Sequence, residues 1–177
     1  MEILHKYWLT SHTTVGLIHF ISSVIGLPLG LGILFLKPGS KIHKRTGYIF
    51  IPILIIVNIS ALFIHQMGKT FGPFHFIIPF SLYALFMGVR PIYSKMERVR
   101  KLKCHIRGML AAALGLWAAF CAEIIARTPV LRNSLNAFGD NTFLVLTIEG
   151  FIFVGLFILI INRLKRSQYK RLGLEDK

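Results

Sequence analysis

The sequence predicts an all-α integral membrane protein with five transmembrane helices, the first four forming a bundle. Three observations carry that prediction. Five apolar runs, Val15 to Leu36, Tyr48 to His65, Phe74 to Val89, Met109 to Ala126 and Phe143 to Asn162, occupy most of a 177-residue chain. Most reach the roughly 20 residues that cross about 30 Å of hydrocarbon, and none shows the polar face that a helix of a soluble bundle repeats every few residues. Basic residues gather in alternate connections, and turn and cap residues stand at the run boundaries.

The elements follow in order. Residues 1–12 form an N-terminal tail without the basic start and small-residue cleavage site of a secretory signal, so the first run is expected to stay as an anchor. Pro38-Gly39-Ser40 closes that run with a turn and offers Ser40 as an N-cap, which starts the second helix at Lys41 with His43 in its first turn. The third run is short, but Pro73 suits a first helical position and Arg90 can snorkel at the far end, so the helix is expected to extend beyond its apolar part. No Gly or Pro lies between Tyr93 and Lys103, and the fourth helix is expected to start before His105. Pro28, Pro52 and Pro79 fall inside the first three helices and are expected to kink them. The Lys/Arg-rich residues 163–177 are read as a basic tail, a solvated or lipid-contacting extension of the fifth helix. The membrane domain then spans 13–162, with a four-helix core over 13–126 and a fifth span over 142–162, leaving no room for a second globular unit.

Charge gives an orientation. Of the 21 Lys and Arg residues, seventeen lie in the first and third connections and the C-terminal tail, against four on the other side. By the positive-inside rule the N-terminus is outside and the C-terminus cytoplasmic, in what is expected to be a bacterial inner (plasma) membrane. The net charge of +14 therefore reads as topology with contact to anionic headgroups. Nucleic-acid binding is excluded as a reading, because no basic, aromatic-interleaved domain exists outside the spans. Cys104 and Cys121 lie toward opposite ends of one helix, too far apart to pair, and are read as free thiols. A phosphate-cradling glycine loop, a Gly-x-Ser-x-Gly turn and a Cys-x-x-Cys pair are all missing, which removes nucleotide-driven transport and thiol exchange from consideration.

Histidine carries the chemistry. His19, His43, His75 and His105 fall one per segment near alternate ends of four successive helices, so a spanning fold places two on each side. An ionisable ring within or beside the bilayer is a functional hypothesis by default. The chain also echoes itself: His19, a basic connection and His43-Lys44-Arg45-Thr46-Gly47 precede His75, a basic connection and His105-Ile106-Arg107-Gly108. Parallel repeats of this kind pair His19 with His75 at the outer level and His43 with His105 at the inner level. Ser22, Gly26 and Gly30 share the face of His19, and Gly108, Ala112, Gly115 and Ala119 that of His105. Such small stripes serve close packing or the approach of a flat cofactor.

This alternation resembles the transmembrane di-haem cytochromes b of the ascorbate-reducible class over residues 13–126. The resemblance implies His19 and His75 as outer axial ligands of haem b and His43 and His105 as inner ones, with Lys41, Lys44, Arg45, Lys103 and Arg107 available to inner propionates. The whole chain further resembles the membrane family designated domain of unknown function 2306, through the His-Lys-Arg-Thr-Gly start of the second helix, Cys-His-Ile-Arg-Gly-Met at the fourth, and Ala122-Glu123 to Arg127 at its end.

Three functions follow as expectations. The first is b-type electron transfer across the membrane, with a quinol or small reductant as partner. The second is a zinc-binding membrane enzyme or carrier, its metal held by His19, His65, His75 and Glu123, with His12 and Glu149 nearby. The third is a structural or accessory subunit without cofactor, whose histidines make interhelical hydrogen bonds. The small stripes serve packing within one chain or between chains, so oligomeric state stays open.

Overall fold

The computed structural model describes residues 14–64, 73–127 and 142–174. It contains α1 (Thr14–Phe35), α2 (Lys41–Leu62), α3 (Pro73–Tyr93), α4 (Arg98–Arg127) and α5 (Thr142–Arg171), and no strand among the described residues. Among the described residues three stretches are long and apolar enough to cross a membrane, namely Thr14–Phe35, Lys41–Leu62 and Arg98–Cys121, and Ile77–Tyr93 forms a shorter apolar helix.

Local chemistry sets the boundaries. Ser40 N–H donates to the Lys37 carbonyl at 3.1 Å, closing a turn over Pro38 and Gly39. Gly39 there has φ +76°, which fits the left-handed third position of a type II turn with proline before it. Ser40 then caps α2, its hydroxyl accepting from His43 N–H at 3.1 Å. Helix α2 therefore starts at Lys41 as expected, with His43 in its first turn. Replacing Ser40 by Ala is expected to cost about 1 kcal/mol, the usual worth of such a cap, read as a lower unfolding midpoint in detergent. Helix α3 starts at Pro73 and runs through Pro91 to Tyr93, and α4 starts at Arg98, seven residues before His105.

Packing makes a ring of four. Helix α1 lies on α2, α2 on α3, α3 on α4 and α4 back on α1, while α5 packs on α4. Thus α1 and α3 stand diagonally, as do α2 and α4. The centre is a filled apolar layer of Leu27, Phe50, Leu54, Val57, Leu85, Met109, Ala112, Ala113 and Leu116, with Phe50, Leu54 and Ala112 fully buried. Trp117 crosses this layer, its Nε1–H donating to the Leu27 carbonyl at 3.1 Å, which satisfies an indole that apolar surroundings would otherwise strand.

The small stripes resolve mainly as packing. A Cβ on Gly26 would meet Ile53 and Leu116 at 3.2 Å, and one on Gly30 would meet Phe50 at 2.9 Å. On α4, Gly108 rests directly on the backbone of Gly88 in α3: an added Cβ would overlap Gly88 N and Cα and reach Met87 C at 2.7 Å. Gly115 differs, since a Cβ there meets nothing within 4 Å.

The C-terminal residues depart from the expected solvated or lipid-contacting extension. They do continue α5, but Leu164, Tyr169, Leu172 and Leu174 pack with Ile106 and Leu110 of α4 and Leu34 of α1 in a second apolar cluster. Helix α5 ends in a Schellman motif: Gly173, at φ +62°, donates to Lys170 O at 3.2 Å and Leu174 N–H donates to Tyr169 O at 2.9 Å. The apolar residue after the glycine folds back because the motif turns it there, leaving the basic side chains Lys170 and Arg171 exposed.

Candidate functional site

The structure places the four histidines at two levels. His19 in α1 lies beside the last turns of α2, at Val57 and Ser60, whereas His43 opens α2. At 1.5 Å per residue these positions are roughly 20–25 Å apart along the helix. His75 stands in the first turn of α3 and Gly88, which meets His105, lies 13 residues further on. His19 and His75 therefore share one end of the bundle, and His43 and His105 the other, where the basic connections lie.

The inner pair is the better defined. The rings of His43 and His105 face each other edge-on across the diagonal of the bundle, centroids 6.3 Å apart with an interplanar angle of 73°. His105 Nδ1 donates to the Gly88 carbonyl at 2.7 Å. A carbonyl only accepts, so Nδ1 carries the proton and the neutral ring keeps its lone pair on Nε2. The contact depends on the glycine crossing one turn away, because only side-chain-free residues let α3 and α4 approach this closely. His43 Nδ1 is buried and has no hydrogen-bond partner among the described residues. One turn along α2, a Cβ on Gly47 would meet Ile33 of α1 at 3.5 Å, an ordinary packing contact.

The outer level is held by its own hydrogen bonds. His19 Nδ1 lies 3.1 Å from both the Val57 carbonyl and Ser60 Oγ. Ser60 Oγ itself donates to Ile56 O at 2.6 Å, so it accepts from the ring, and His19 too is protonated on Nδ1. Ser22 Oγ donates to Ile18 O at 2.6 Å and Asn58 Nδ2 to Leu54 O at 2.8 Å, each returning to its own helix as polar residues in apolar surroundings do. His75 and Glu123 are half-buried. His12 and His65 lie outside the described residues, as does the side chain of Glu149, and among the described residues no three metal-type side chains converge. Cys104 and Cys121 are free.

The sequence did not point to Gly88, Val57 or Ser60, because two of them act through backbone carbonyls, which every residue has. The signal available was indirect: a glycine on α3 lying 20 residues before a glycine on α4, each near the end of a helical hairpin.

A family model described as "Predicted membrane protein (DUF2306)" matches residues 16–160. The chain belongs to the DUF2306 family. Neither a curated protein nor a solved structure matches it. The matched segment takes in all four histidines, both glycines of the α3–α4 crossing and most of α5, but stops before Tyr169 and Leu174, so the docked end of this DUF2306 chain lies beyond the shared part.

Proposed function

We propose that this DUF2306 protein is a b-type electron-transfer protein that spans a bacterial inner membrane five times, with its N-terminus outside and its basic end in the cytoplasm. The observation that carries the reading is the His43–His105 pair. The two rings stand 6.3 Å apart, close enough that both could hold one metal ion between them. His105 has its other nitrogen tied to a carbonyl, the arrangement that fixes tautomer and ring angle in metal-ligating histidines. A buried imidazole nitrogen without a partner, as at His43 Nδ1, is costly in apolar surroundings unless something occupies it.

His43 and His105 would hold haem b at the inner level, with Lys41, Lys44, Arg45, Lys103 and Arg107 at the same end for its propionates. His19 and His75 are the corresponding outer ligands, His19 already oriented by Val57 and Ser60. Bis-imidazole haem supplies one-electron chemistry from a coordinatively saturated iron. The chain's part is to hold the rings, keep the protons of His19 and His105 on Nδ1 and exclude water with the central apolar layer. A quinol or small reductant is the proposed outer electron donor.

The test is a reduced-minus-oxidised visible spectrum of detergent-purified protein expressed with ample haem, with metal analysis of the same sample. A b-type difference spectrum with near-stoichiometric iron is the expected result. Zinc without haem would shift the assignment to a metalloenzyme or carrier, and an empty protein to an accessory subunit.

A further inference from the structure

The docked end of α5 has no role in that scheme. Gln168 Nε2 donates to the Leu34 carbonyl at 3.0 Å. Leu34 lies in the last turn of α1, where a carbonyl has no partner within the helix, so Gln168 replaces a water there. Tyr169 inserts beside α4: its hydroxyl accepts from Arg107 Nε at 2.9 Å and donates to Lys103 O at 3.4 Å, and Lys103 Nζ stands 5.7 Å from its ring centroid. Leu174, 7% exposed, closes over Ile106 and Leu110, which flank His105 on α4. The segment thus covers the seam between α1 and α4 at the level of the inner pair.

Holding it closed is electrostatically unfavourable. The segment from Arg163 to Leu174 carries five basic residues and no acidic one, and it docks at an end already bearing Lys37, Lys41, Lys44, Lys103 and Arg107. Among the described residues Glu97 is the one carboxylate at this end, and Glu175 and Asp176 lie outside them. Like charges within a Debye length repel unless counter-charge intervenes. A small apolar cluster separate from the main core, with polar bonds that water can replace, opens more easily than the fold unfolds.

We propose that Gln168–Leu174 is a latch over the α1–α4 seam, kept closed by anionic lipid headgroups that neutralise the basic end, and opened where the surface is neutral. The exposed Lys170 and Arg171 project from the docked segment as contacts for headgroup phosphates, while the opposite face stays on the protein. The proposal does not depend on haem, and neither does its test.

The full-length protein carrying Cys104→Ser, Cys121→Ser and Ile106→Cys is placed in nanodiscs of phosphatidylcholine, with or without phosphatidylglycerol, and labelled with a water-soluble maleimide. Labelling at least ten-fold slower in the anionic discs is expected, with inorganic phosphate failing to slow it in the neutral ones. Leu174→Asp is expected to label fast in both. Equal rates in the two lipids overturn the proposal, and protection by phosphate alone overturns the membrane as source. The lipid comparison uses an intact tail, so it decides the matter even where Leu174→Asp does not fold.

Discussion

Gly108→Ala is expected to destabilise this protein more than any other single-methyl change in it. The added Cβ falls on the backbone of Gly88, where no flexible side chain can yield, so α3 and α4 must separate. Overpacking against a rigid neighbour belongs to the class of substitutions that costs upwards of about 4 kcal/mol. Gly115→Ala, about two turns further along the same helix, is the matched control. Its Cβ meets nothing within 4 Å, and the higher helix propensity of alanine favours it by about 0.5–1 kcal/mol. Thermal unfolding of both variants in one detergent separates a backbone collision from a generic effect of losing glycine; equal midpoints would show that the crossing does not constrain the fold. Gly108→Ala also draws the Gly88 carbonyl away from His105, so any property of the inner site is expected to change with it.

The second large effect concerns the histidines. If the protein holds two haems as proposed, His105→Ala and His43→Ala are each expected to leave about half of the visible absorbance, and His19→Ala to remove the other half. The readout is haem per chain by pyridine haemochrome. Absorbance unchanged in all three variants would remove these residues from the ligand set. Total loss on changing His43 or His105, with none on changing His19, would instead mean that one haem, rather than two, is held. His105→Gln sharpens the test at the inner site, since it keeps a polar side chain of similar reach without an imidazole.

Much of this was legible in the residues themselves. Pro38-Gly39-Ser40 announced a turn and a cap, and Pro73 a first helical position, because these residue types act through local backbone geometry that tertiary packing rarely overrides. The alternation of His19, His43, His75 and His105 predicted two levels, which the antiparallel hairpins enforce. The cause of the small stripes was not legible. Whether glycine admits a cofactor or a neighbouring helix depends on what stands opposite, and Phe50, Ile53 and Leu116 oppose Gly26 and Gly30 from helices distant in sequence. The docking of the tail was hidden for a related reason. Its lysines and arginines dominate composition, while Tyr169, Leu172 and Leu174 are few and find their cluster only after Gly173 reverses the chain. A glycine closing a helical pattern with a leucine behind it was the cue that composition obscured.

The filled layer around Phe50 and Leu54 has an electrical meaning as well as a mechanical one. Its packed apolar side chains form the low-dielectric slab of the protein, and in an energised bilayer the voltage drops across that slab and hardly at all across the wet, charged ends. On the proposed electron-transfer reading, charge passed between the level of His19 and that of His105 would move through most of the membrane field. The work amounts to about 2.3 kcal/mol per elementary charge for each 100 mV, so under the proposed function the direction of net transfer would be set by membrane potential together with the difference in midpoint between the two levels.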